Sequence, residues 1–253
     1  MNELFVDYII FAKKERMESL KQRRTIRKYQ QKDISADLLN DLLETSFRAS
    51  TVGNMQVYSV IVTRDAERKA KLAPAHFNQP MVRTAPVVLT FCIDLRRFSK
   101  WCEQRKAEPG YNNFEWFVTG AVDTLLVAQT FCVAAEEKGL GICYLGTTTY
   151  NPQMIVEALE LPELVFPITT VTVGWPAEQP EQVDRLPLEP LYTKRFIMII
   201  LLRTLTGCMP IKNRFLRTSS SSWRTIRKRW RRSLQMCVIR RKTVRQCRRI
   251  FGR

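Results

Sequence analysis

The sequence predicts an α+β fold built around one small sheet, and three observations carry that prediction. Helical and strand-like segments are interleaved but few across residues 1–193. The composition, 45% hydrophobic and 26% charged, is that of an ordinary globular chain. The charge pattern then breaks. Glu189 is the last acidic residue, and residues 194–253 carry 19 of the 41 Lys and Arg with no Asp or Glu. At the rate of the preceding residues, a stretch of that length holds about seven acids. The pI of 9.9 therefore describes the tail and not the folded body.

In chain order, Ser35 reads as an N-cap, with Asp37 in the first turn and Leu38, Leu39, Leu42 and Leu43 as an apolar stripe. That helix is expected to run to about Ala49. Val57–Thr63 and Val87–Asp94 read as buried strands. Arg96–Phe117 reads as helix and loop over an apolar cleft, with Trp101, Tyr111, Phe114 and Trp116 around Pro109-Gly110. Phe117–Lys138 is a long, largely apolar helix closed by Gly139. Cys143–Leu145 is a short strand, Asn151–Leu159 a helix, and Ile168–Gly174 a strand stopped by Trp175-Pro176. No repeat of 20–50 residues is visible.

The body is long enough to bury a single core. The cysteines form no C-x-x-C pair, and reduced thiols in a cytoplasmic protein are the expectation. Glu3 and Asp7 interrupt the apolar opening, which argues against a secretory signal. Phe196–Leu202 is far short of the roughly 20 residues a membrane span needs, so no membrane is expected.

Three clusters carry candidate chemistry. Arg23, Arg24, Thr25 and Arg27 bring guanidinium groups and a hydroxyl together, and bidentate arginine geometry suits a phosphate. A solvated basic face has the same composition. Ala49–Gln56 offers small and amide side chains for a flat polar heterocycle, or an ordinary turn. Gly139–Thr147 sets glycines around a short strand, where backbone amides can approach a ligand, as in many turns. The single histidine, His76, reads as a surface or packing residue, and no Ser/His/Asp arrangement is present.

Taken in order, RRTIRKY (residues 23–29), RASTVGNMQ (48–56), GLGICYLG (139–146), and LPELVFPITTVTVGWP followed by RLP (161–176 and 185–187) resemble the FMN-dependent nitroreductase family, in its oxygen-insensitive NAD(P)H-using branch. The resemblance covers about residues 17–190, which makes residues 1–16 an extension. It implies a small, mainly antiparallel sheet packed by helices, in a homodimer with FMN at the subunit interface. It implies that Arg23, Arg24, Thr25 and Arg27 face the flavin phosphate and ribityl chain, with Arg185 closing on the phosphate. Ser50, Gln56 and Gln79 would meet the ring system, and Tyr144, Leu145, Gly146 and Thr147 would lie along the isoalloxazine. Thr51–Asn54 departs from the family's serine-rich version of the second cluster. The chemistry so implied is ping-pong: NADPH or NADH gives hydride to the flavin, and a nitroaromatic, quinone or flavin acceptor then takes its place. No side-chain nucleophile and no metal is required.

The tail has three readings: an RNA- or DNA-binding segment, a lipid-binding segment, or the translation of a shifted frame. Residues 195–207 can be back-translated so that an offset frame reads FHHDYTPEDIDR, and residues 234–244 permit TDVRYTKKDS. Both strings resemble the acidic C-terminal arm of the family. Read one base late, GAA and GAG codons become Lys or Arg, which explains the charge. The shifted frame is therefore the favoured reading, with an inactive product as one consequence.

Overall fold

The computed structural model describes residues 20–185. The fold below is that of residues up to Gln182; Val183, Asp184 and Arg185 lie past the boundary of this compact unit. The extension expected at 1–16 and the tail at 194–253, with every reading of it, fall outside the described residues.

The elements are α1 (Ala36–Ser46), β1 (Tyr58–Thr63), α2 (Ala66–Leu72), α3 (Pro80–Thr84), β2 (Val87–Asp94), α4 (Arg96–Gln104), α5 (Phe114–Glu137), β3 (Gly141–Leu145), α6 (Pro152–Leu159) and β4 (Val165–Gly174). The strands form one sheet in the order β1-β2-β4-β3, antiparallel at every pairing. An α+β architecture with a small antiparallel sheet is what the sequence predicts. β2 is buried along its whole length, which is why its sequence runs apolar without the alternation of a half-exposed strand.

Helices cover both faces of the sheet. On one, α1 and α5 bury Leu39, Leu42, Val127 and Phe131 against Leu89, Phe91 and Val171. On the other, Leu72, Val82 and Ile155 from α2, α3 and α6 pack with Val88, Cys143 and Leu145. α5 has the length and hydropathy of a membrane span, but its place in the fold is that of the sheet's core helix. Gly120 lets it approach β2, because a Cβ there would lie 2.6 Å from Ile93 Cγ2.

Boundaries depart from expectation for local reasons. Ser35 caps α1 as predicted, its Oγ accepting the Leu38 amide at 3.2 Å, but the helix ends at Ser46. α5 starts earlier, at Phe114, because Asn113 Oδ1 accepts the Trp116 amide at 3.0 Å. Gly139 follows it with φ +79°, as expected of the closing position. β4 begins at Val165 and carries Pro167 within it. The proline sits where the register to β2 shifts and beyond the reach of β3, so its missing N–H breaks no ladder.

Candidate functional site

The arginine segment is laid along the open edge of β3. The Ile26 amide donates to Ile142 O at 3.0 Å, and the Gln30 amide to Trp175 O at 2.9 Å. Glycine at 141 is required by this contact, since a Cβ would come within 2.6 Å of Ile26. Tyr29 anchors the segment from below, its buried hydroxyl 2.8 Å from Ile26 O and 3.1 Å from Thr172 O. Burial pushes that phenol well above its ordinary range. From the other side, Glu178 Oε1 accepts the Arg27 and Lys28 amides at 2.8 and 3.1 Å. The Gln182 side-chain amide donates to Lys21 O.

Above this edge lies a cleft of about 700 Å³ whose lining includes Arg23, Arg24, Gly139, Gly141 and Glu178. Arg23 Nε is 3.3 Å from Glu136 Oε1, at the end of α5. Burial raises the Glu136 carboxyl, and Arg23 pulls it back down. Arg24 Nε is buried with no partner among the described residues. Thr25 is half-buried and the Arg27 side chain is exposed.

The second cluster is held by α5 and α4. Gly53, Asn54 and Gln56 all have positive φ, at +58°, +53° and +52°, so this is a tightly wound turn and not a simple link. Ser50 and Gln56 are exposed. Asp123, fully buried at 0% exposure on α5, accepts the Val52 amide through Oδ1 at 3.1 Å. Its Oδ2 and the Tyr58 hydroxyl are both buried without partners, and burial raises both groups above their ordinary pKa. From α4, Arg97 donates to Tyr58 O at 2.8 Å and to Ser59 Oγ at 3.3 Å, while its amide donates to Asp94 Oδ1 at 3.0 Å.

At the far end of β3, Tyr144, Leu145, Gly146 and Thr147 lead into the short helical turn Gly146–Thr149. Leu145 is buried, while Tyr144 and Thr147 are half-buried. The Tyr144 hydroxyl donates to Gln129 Oε1 at 3.4 Å, and burial raises its pKa. Gln79 precedes α3 and is half-buried. His76 is not at the surface. It is fully buried, with Nδ1 2.8 Å from Thr147 Oγ1, which joins the Gln79 turn to the Thr147 turn.

The predicted residues thus gather in two places. Arg23, Arg24, Thr25 and Arg27 follow the edge of β3, and Tyr144–Thr147 with Gln79 sit at its end. Ser50 and Gln56 are elsewhere: Asp123 and Glu136, which mark the two neighbourhoods on α5, are about 20 Å apart at 1.5 Å per residue. Arg185, exposed, lies past the unit boundary, its Nη1 donating to Val183 O at 3.4 Å. Aromatics from the Arg96–Phe117 stretch stack edge to face, Phe98 on Tyr111 at 4.8 Å and Tyr111 on Trp116 at 4.7 Å. Sequence reasoning missed Asp123, Arg97, Glu136 and Glu178. Asp123 alone had a signal, a carboxylate inside an apolar helix.

Residues 20–175 match the family described as the nitroreductase family. The chain belongs to it. An FMN reductase [NAD(P)H] of Bacillus subtilis is 36% identical over 176 residues, covering 68% of this chain and 70% of that protein. A Cr(VI) reductase of a Pseudomonas species is 35% identical over 171 residues, again 68% and 70%. Among solved structures, a Bacteroides fragilis protein superposes with a TM-score of 0.75 at 62% identity, covering 84% of this chain and 85% of its own. The NADPH:FMN oxidoreductase of Vibrio harveyi, complexed with NAD+, superposes with a TM-score of 0.72 at 28% identity, covering 76% and 82%. As a nitroreductase-family member, the chain has its family match ending at Trp175, before the charge break.

Proposed function

We propose that this protein is an FMN-dependent oxidoreductase that takes hydride from NADPH or NADH and reduces small acceptors such as nitroaromatics, quinones or free flavin. One observation carries the reading: the Ile26–Ile142 hydrogen bond brings the arginine segment and the glycine-flanked strand, over a hundred residues apart, onto one edge. Bound FMN supplies the redox step, accepting a hydride and passing its electrons on in a second half-reaction.

The residues present fit that cofactor. Arg24 Nε is a buried donor without an acceptor, and an anion in the cleft would supply one. Arg23, held by Glu136, offers its remaining N–H groups to the same anion. Thr25 and Arg27 would face the ribityl chain. Tyr144, Leu145, Gly146, Thr147 and Gln79 would flank the ring.

Asp123, which holds the turn carrying Ser50 and Gln56, and Glu136, which holds Arg23, are about 20 Å apart along α5, so we read the turn and the arginines as parts of a site that one subunit does not complete. α5 also exposes Val118, Val122, Leu125 and Leu126, an apolar stripe at helical spacing. Packing that stripe against its two-fold mate places the start of one α5 beside the end of the other. A two-fold contact through that stripe supports the homodimer with two interfacial flavins that the family resemblance implies. Four free cysteines among the described residues accord with a cytoplasmic location.

The deciding measurement is reconstitution. Purified protein incubated with FMN should turn yellow, bleach on anaerobic addition of NADPH or NADH, and regain colour with a quinone. Material that stays colourless after reconstitution overturns the assignment.

A further inference from the structure

His76 joins two parts of the molecule that carry separate candidate flavin contacts. Its carbonyl accepts the Gln79 amide at 3.2 Å, and its Nδ1 is 2.8 Å from Thr147 Oγ1. The turn between His76 and Gln79 is strained, because Phe77 and Asn78 both lie in the left-handed region at φ +55° and +53°. For a bulky aromatic that conformation is unfavourable and persists only where neighbours enforce it. A second tie runs in parallel, with Asn151 Nδ2 donating to Ala75 O at 2.9 Å.

Packing alone does not call for an imidazole here. His76 Nε2 is buried without a partner, and burial holds the ring neutral by moving its pKa down to about 4. An apolar side chain of similar size would fill the space without an unsatisfied nitrogen. What the imidazole adds is the bond to Thr147.

We propose that His76 is a positioning residue: through Thr147 it fixes the Gln79 turn and the Tyr144–Thr147 segment as one platform for the flavin ring. The inference rests on the flavin assignment above. No electron or proton passes through His76.

The test measures FMN dissociation constants by fluorescence quenching, with the visible flavin band and the melting temperature of the flavin-free protein recorded beside them. His76→Leu and Thr147→Val should each weaken FMN binding by about five- to tenfold and shift the visible band. The double variant should be no worse than either single change, since both remove one bond. Thr147→Ser and His76→Asn, which keep polar atoms near the same positions, should recover most of the affinity. Thr147→Val keeps the proposal falsifiable if His76→Leu does not fold. Wild-type affinity and spectrum in Thr147→Val, or additive losses in the double variant, would overturn the platform and leave the flavin assignment standing. A wild-type protein that binds no FMN would overturn both.

Discussion

Arg24 separates two meanings of a basic cluster at the scale of one atom. A solvated arginine keeps every N–H in water, whereas Arg24 Nε is buried and unpaired. Lysine has no equivalent of that donor. Arg24→Lys is therefore expected to lose about tenfold in FMN affinity and Arg24→Ala about a hundredfold, within the range for charge-assisted hydrogen bonds. Riboflavin, lacking the phosphate, should bind all three proteins alike. Parallel fluorescence titrations with both flavins check this, and equal losses for both would remove the phosphate from the account. The sequence made the arginines legible, but not Glu136 or Glu178, which contact their segment from 113 and 151 positions away (136 − 23 and 178 − 27). His76 has a consequence for acid stability as well. Its folded pKa, about 4, lies below the ordinary 6.5, so the unfolded chain binds more protons between those values. Stability therefore falls as pH drops from 6.5 towards 4, by up to about 3 kcal/mol from this group. His76→Leu should flatten that part of a pH series of denaturant midpoints.

At the scale of elements, α5 joins two duties, spacing the sheet and anchoring the second cluster. Gly120→Ala would gain about 1 kcal/mol of helix propensity. The new Cβ would meet Ile93, a core side chain, at 2.6 Å, and overpacking of that kind costs about 1–3 kcal/mol. The net expectation is a loss of up to about 2 kcal/mol, read from urea midpoints; a gain would mean that β2 yields easily. Asp123 permits a cleaner separation. Burial raises its carboxyl, so ionising it at neutral pH opposes folding, and that cost disappears as pH falls through its raised folded pKa. Asp123→Asn keeps an acceptor for the Val52 amide and should hold or raise the melting temperature. Asp123→Leu should loosen the 51–56 turn and weaken FMN binding several-fold. Equal flavin affinity in both variants would show that the turn does not need its anchor.

Element types were legible where periodicity ran long: α1, α5, β1, β2 and β4 all stand where apolar spacing put them. α2 and α3 were not, because seven and five residues are too few to show a helical period. Their start signals were nonetheless present, in Asp65, whose Oδ1 accepts the Arg68 amide at 2.9 Å, and in Pro80 at the first turn of α3. The expected strand Cys143–Leu145 is two residues shorter than β3, because glycine has low strand propensity; only contact with Ile26 reveals why glycine belongs in that strand. Phe77, Asn78 and Gln56 escaped for the opposite reason, since positive φ at such residues is imposed by tertiary contacts.

For the whole molecule, the question is whether a chain whose residues 194–253 are so basic can complete the site. Val118, Val122, Leu125 and Leu126 leave α5 with an uncovered apolar stripe, and a second copy packed on it would cover that surface. The resemblance implies a C-terminal arm that wraps the partner subunit, whereas residues 194–253 here carry 19 Lys and Arg with no Asp or Glu. A segment so charged lacks the acidic pattern that the offset frame would restore. The expectation is a protein that retains the flavin-site residues yet dimerises weakly, with low flavin occupancy. Size-exclusion chromatography of the protein as isolated, before any FMN is added, should show a concentration-dependent monomer with little flavin absorbance. Restoring the frame by one base near codon 195 should produce a stable yellow dimer. A yellow dimer from the chain as it stands would show that the α5 stripe suffices without the arm.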